Sequence, residues 1–109
     1  MWLNYLLNPN IRIEFDINQK DGLTTSFFWE ISKTKSSGYI NGGGLNNVNA
    51  SLNTWYHCVI DIGETSTTMT MNNNTRTFTY DALSSFYFGF WLSREISEIN
   101  FKNFKIYPI

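Results

Sequence analysis

Cysteine is almost missing from this chain: Cys58 is alone among 109 residues, which excludes an internal disulfide and a cysteine-based zinc site. Stability must therefore come from packing. Histidine also occurs once, at His57, and no Ser or Cys stands at the spacing of a nucleophilic triad. Basic charge is scarce and scattered, with eight Lys and Arg against nine Asp and Glu for a net charge of -1. No basic stripe offers counterion release on phosphates, so nucleic acid is not an expected partner. Apolar runs stay well short of the roughly 20 residues that cross a bilayer. The start, Met1 to Leu7, lacks the basic region and long apolar stretch of a signal peptide, and no membrane partner is expected. Long stretches of Ala, Glu, Lys and Leu are missing too, which disfavours helices.

What is present is apolar and aromatic material, 42% and 17% of the chain. That is enough for one core and too little for two, so a single domain over residues 1–109 is expected. Asn, Ser and Thr dominate the polar positions and suit strands joined by turns. The clearest strand is Ile11 to Asn18, in which odd positions are apolar and even positions polar. The sequence Asp21-Gly22 then predicts a turn, and Thr24 to Ser32 a second β-rich segment. Gly38-Tyr39-Ile40 predicts a short strand before the run Gly42-Gly43-Gly44, read as a flexible rim loop because three successive glycines forbid regular structure there at little steric cost. Trp55 to Ile62, Thr67 to Met71 and Thr75 to Tyr80, punctuated by Gly63-Glu64 and Asn72-Asn73-Asn74, predict a three-stranded antiparallel meander. Ser85 to Leu92 carries Phe86, Phe88 and Phe90 on one parity and Tyr87 and Trp91 on the other. From Ile96 to Tyr107 the apolar parity changes, which predicts a bulge near Lys102-Asn103. The spacing of turns predicts an all-β antiparallel sandwich of about nine or ten strands. Its expected core contains Ile11, Ile13, Phe15, Ile17, Cys58, Ile60, Ile62, Phe88, Phe90, Phe101 and Ile106.

Three stretches carry a resemblance to the concanavalin A-like lectin and laminin G-like superfamily. They are Ile11 to Ile17, Thr54-Trp55-Tyr56-His57 to Ile62, and Ile99-Asn100-Phe101-Lys102-Asn103-Phe104-Lys105-Ile106-Tyr107-Pro108. The resemblance covers most of the chain and implies a jelly-roll sandwich. It places Trp55 at a core or near-core position. Such domains serve as appendages of phage tails, surface adhesins and glycan-active enzymes, so the implied setting is extracellular, at a cell surface or on a virion. The rim calcium site of the family uses Asp and Asn oxygens. No dense Asp/Asn cluster matches it, so no cofactor is expected, with Ca²⁺ left open.

The strand Glu14-Phe15-Asp16-Ile17-Asn18 resembles the E-x-D-x-E catalytic strand of jelly-roll glucanases, with Asn18 where a third carboxylate would be. Arg12 shares that face, and a solvated charge ladder without glycosidase activity is the expected outcome. His57 is expected to be structural, and Cys58 a small buried hydrophobe. The two glycosylation sequons, at Asn49 and Asn73, are expected by chance in so Asn-rich a chain. Sugar rings stack on aromatic faces while amides and hydroxyls bond their oxygens. Tyr87 and Trp91, opposite the phenylalanine parity, and Tyr39, beside the glycine run, are the candidate ligand-binding residues. The expected function is a non-catalytic carbohydrate-binding or adhesion module whose partner is a glycan or cell-surface polysaccharide. A structural or oligomerisation domain of a virion or surface appendage, meeting its own copies or another appendage protein, is the alternative. A glucanase-like hydrolase ranks third.

Overall fold

Alternation of apolar and polar residues, clearest in Ile11–Gln19 and Tyr56–Ile62, builds two sheets with a shared dry interior. In the computed structural model, which describes residues 1–35 and 40–109, the strands are β1 (Ile11–Gln19), β2 (Phe27–Ser32), β3 (Ile40–Asn41), β4 (Tyr56–Ile62), β5 (Ser66–Met71), β6 (Asn74–Thr79), β7 (Tyr87–Leu92) and β8 (Ile99–Pro108). A single turn of 3₁₀-helix, Leu45–Val48, separates β3 from β4. One sheet has the order β6-β5-β4-β1-β8 and the other β3-β2-β7, with every named pair antiparallel. The chain is an all-β antiparallel sandwich. The count among the described residues is eight strands rather than nine or ten. Thr24 to Ser26 forms a turn, closed by the Ser26 N–H on the Leu23 carbonyl, and Met1 to Leu7 contributes isolated bridges, Trp2 to Gly89 and Leu7 to Phe86, rather than a full strand.

β1 sits between β4 and β8, and its register explains its alternation. Ile13 faces Ile60 and Ile106, while Glu14 faces Val59 and Lys105, so one parity enters the core and the other stays on the outer surface. Ile13, Phe15, Ile17, Cys58, Ile60, Ile62, Phe88 and Phe90 are buried as expected. Ile11, Phe101 and Ile106 are half-buried at its margin. Aromatic rings join the two sheets: Phe90 of β7 lies 5.3 Å from Phe15 of β1, and Phe27 of β2 lies 5.9 Å from Phe101 of β8. The bulge in β8 occurs where expected, because the partners of Glu14 and Asp16 are Lys105 and Lys102, and Asn103 takes φ 56° there. That extra residue absorbs the parity change.

The glycine run is not a flexible rim. Gly42, Gly43 and Gly44 are all buried, and a β-carbon on Gly42 would fall inside the Trp29 indole, one on Gly44 inside the Phe27 carbonyl. The glycines are there because the backbone approaches the core too closely for any side chain. Gly38 and Tyr39 lie outside the described residues, so the short strand is established only for Ile40–Asn41. The meander is as expected. Its second turn uses Asn72 and Asn73 at φ 53° and 59°, the conformation of a two-residue hairpin turn that asparagine tolerates.

Candidate functional site

Two outer faces carry chemistry, one aromatic and one ionic. On the three-stranded sheet, Phe28 and Glu30 of β2 share the outer surface with Tyr87, Gly89 and Trp91 of β7, since Phe28 pairs with Trp91 and Glu30 with Gly89. The Phe28 and Trp91 rings stack at 4.8 Å and 14°, and Trp91 keeps 44% of its surface exposed. Glycine at position 89 leaves the backbone bare, and the Trp2 indole fills the gap: a β-carbon there would lie 2.6 Å from Trp2 Cε3. The segment carrying Trp2 is fastened to β7 by main-chain bonds, among them the Leu3 N–H to the Phe88 carbonyl at 2.8 Å and the Phe90 N–H to the Met1 carbonyl at 2.8 Å. Tyr87 is half-buried, with the Lys35 ammonium 4.7 Å from its ring centre, and Lys35 also donates to the Asn4 side chain at 2.8 Å. Asn41 extends the row on β3 opposite Glu30. The result is an aromatic strip of Trp91, Trp2 and Tyr87 backed by Phe28, with Glu30, Asn41, Lys35 and Asn4 around it.

The structure therefore brings Tyr87 and Trp91 to one surface. Tyr39 lies outside the described residues. Trp2 was missed by sequence reasoning because Met1 to Leu7 has no strand alternation; only Gly89, a gap in an otherwise aromatic run, hinted at something lying across β7.

On the outer face of the five-stranded sheet, adjacent strands assemble the only histidine with both candidate carboxylates. His57 of β4 stands across from Asp16 of β1. Its Nδ1 lies 2.6 Å from Asp16 Oδ1 and its Nε2 2.8 Å from Glu14 Oε1. The Asn103 amide donates to the second Asp16 oxygen at 2.7 Å, the Tyr107 hydroxyl to Glu14, and Arg12 pairs with Asp61 through two bonds of 2.6 and 2.9 Å. Glu14 and Asp16 are thus partnered rather than merely solvated. A ring facing a carboxylate at each nitrogen satisfies both only as imidazolium. Donating to the Asp16 and Glu14 carboxylates accordingly raises the His57 pKa above its ordinary value, and accepting from Asn103 and His57 lowers that of Asp16.

The folded-state pKa of His57 is the higher one, so its stabilisation is complete below about pH 6.5, the value in an unfolded chain, and is lost as pH rises through the raised value. Asp16 works the other way: its contribution is present above the ordinary carboxylate range and lost as pH falls through its lowered pKa. The cluster stabilises most between those limits. Urea denaturation from pH 6 to pH 9 should show the wild type losing stability relative to His57→Gln. Because His57 is 52% exposed, the difference should be small, about 0.2–1 kcal/mol per ion pair. Parallel pH profiles for the two proteins would contradict it.

Trp55 departs from its expected core position. It precedes β4 on the outer parity, is 42% exposed, and carries the Lys102 ammonium 4.0 Å from its ring centre. Its parity is that of His57 and opposite to that of Cys58, Ile60 and Ile62, so it faces outward. Cys58 is buried as expected, and desolvation pushes its thiol up to about 12, which makes it unreactive. Among the described residues there is no enclosed cavity and no group of three or more His, Cys, Asp or Glu side chains arranged to hold a metal.

The sequence matches no protein-family model and no curated protein. Both surfaces must be interpreted from their own chemistry.

Proposed function

We propose that this chain is a non-catalytic carbohydrate-binding or adhesion module of the concanavalin A-like kind, acting on a glycan at a cell surface or virion. The observation that carries the reading is the strip of Trp91, Trp2 and Tyr87 on the outer face of the three-stranded sheet. Aromatic faces accept the C–H face of a sugar ring, and the neighbouring Asn4, Asn41, Glu30 and Lys35 supply donors and acceptors for its hydroxyls. The open shape suits a ligand that lies on the surface. The five-stranded face supports the non-catalytic part. A retaining glycosidase needs its two carboxyl groups facing each other across the scissile bond, whereas the His57 ring lies between Glu14 and Asp16 and bonds both.

The test is a screen of neutral polysaccharides followed by calorimetry on the best binder. Trp91→Ala should weaken binding at least about tenfold, near 1.4 kcal/mol, with circular dichroism unchanged because Trp91 lies outside the core. Salt should matter little, since stacking dominates. Unchanged affinity in folded Trp91→Ala and Tyr87→Ala would put the site elsewhere. The second reading, an oligomerisation domain of an appendage, draws on Met1, Tyr5 and Leu6, exposed by 69%, 68% and 58% on the segment beside the strip. It is favoured if Trp91→Ala dissolves an assembly and no glycan binds.

A further inference from the structure

The sheet edges of this fold are not protected equally. β8 ends one side of the five-stranded sheet with a bulge and two lysines, Lys102 and Lys105. β3 is two residues long, and the outer side of β7 is covered by the segment Met1 to Leu7. Bulges, charges, shortness and cover are the usual means of preventing edge-to-edge pairing. β6 has no bulge and is not short, and its one charge, Arg76, is held on the Asn47 carbonyl at 2.8 Å. The strand is six residues long and reads Asn-Thr-Arg-Thr-Phe-Thr, without proline, lysine or a register shift.

Its hydrogen-bonding parity can be worked out from the turn. In a two-residue hairpin the flanking residues form a hydrogen-bonded pair, and such pairs alternate with non-bonded ones. Met71 and Asn74 flank the turn, so Met69 with Arg76 and Thr67 with Phe78 are the next bonded pairs. The Tyr80 N–H on the Thr65 carbonyl at 3.0 Å continues the same parity. The main-chain N–H and C=O groups of Thr75, Thr77 and Thr79 consequently point away from β5, and all three residues are exposed. No main-chain partner is found for their N–H groups among the described residues.

We infer that β6 is a homodimer edge, joining a second copy of this chain antiparallel about a two-fold axis through Thr77. That register is self-complementary. Thr77 faces its own copy and Thr75 faces Thr79, each pair exchanging two main-chain bonds. Their side chains continue a threonine surface that already includes Thr68 and Thr70, with Thr70 and Thr75 hydroxyls 3.2 Å apart. Arg76, the one charge on the strand, meets Phe78 of the second copy rather than another Arg76, so the seam holds no like-charge pair. β8 lacks this property because its lysines and its bulge break any flat pairing. The two-fold axis stands perpendicular to the sheet, which places the two three-stranded sheets on one side. If the strip binds glycan, the dimer presents two strips in one direction, and avidity would raise its affinity for a repeating surface polymer.

The experiment is sedimentation equilibrium of the whole chain across roughly 1 μM to 1 mM, with hydrogen exchange on the same samples. Concentration-dependent dimerisation is expected, accompanied by protection of the Thr75, Thr77 and Thr79 amides. Thr77→Pro removes one outward N–H without touching the bonds to β5 and should raise the dimer Kd at least about tenfold. Thr77→Lys should do the same at low salt and recover at high salt, because it sets two ammonium groups across the axis. Thr70→Lys, one strand in from the edge, should leave the Kd within about twofold. A monomer at every concentration overturns the inference. So does a dimer that folded Thr77→Pro and Thr77→Lys leave intact. Glycan binding by a strict monomer would overturn the dimer while leaving the proposed function standing.

Discussion

Trp29→Ala is expected to destabilise the protein by about 3–5 kcal/mol, the range for removing a large buried aromatic. Trp29 is fully buried on β2. Its ring meets Phe78 edge-on at 5.4 Å and stacks with Phe88 at 6.2 Å, and its indole N–H donates to the Met69 sulfur at 3.0 Å. It therefore links the three-stranded sheet to β5 and β6, and alanine would leave a void touching both sheets. A domain of this size is stable by about 5–15 kcal/mol, so the loss takes a large share of the total. Urea denaturation followed by tryptophan fluorescence and far-UV circular dichroism measures it. A cost below about 1 kcal/mol, typical of a surface site, would show that the ring does not fill the interior as described.

Gly42→Ala is expected to be nearly as damaging although it adds a single methyl group. The new β-carbon would overlap Trp29 Cε2 and Cζ2, atoms of a rigid ring held on all sides. The Gly42 N–H is itself bonded to the Trp29 carbonyl at 2.8 Å, so the loop cannot retreat without losing that bond. Overpacking of this kind costs about 1–3 kcal/mol, occasionally more. The two substitutions should be coupled: in Trp29→Ala protein the added methyl enters the vacated space, so the double variant should be more stable than additivity predicts. Equal cost of Gly42→Ala in both backgrounds would mean that the indole is not what excludes the side chain. A merely flexible glycine loop would accept alanine at little cost, which makes this the measurement that separates the two descriptions of residues 42–44.

The sequence was most legible where one face of a strand is buried. Ile11 to Ile17 and Cys58 to Ile62 alternate because a one-residue slip would expose every core residue, so their inward and outward faces could be assigned before any partner was known. The change of parity in β8 was legible for the same reason, as a bulge. Tyr87 and Trp91 could be assigned outward because Phe86, Phe88 and Phe90 had already taken the inner face. The candidate sites were less legible. Glu14 and Asp16 are close in sequence, but His57 joins them only through the β1–β4 register and Asn103 and Tyr107 only through β8, across as many as 93 positions. Trp2 reaches the strip through a bridge to Gly89, far away in sequence, made by a segment with no periodic signal. The glycine run was misread because composition reports backbone freedom and not what lies against the backbone.

By itself, then, the sequence determined the all-β class, the faces of the long strands, the turns at Asp21-Gly22 and Asn72-Asn73, and the exclusion of an internal disulfide. These follow from local sterics and from a period of two, which neighbouring residues settle among themselves. Tertiary structure decided which strands became neighbours, and with that the imidazolium between two carboxylates, the tryptophan over Gly89, the exposure of Trp55 and the open edge at β6. Each depends on pairings between distant segments, whose register is fixed by the packing of the whole core and by no single stretch of the chain.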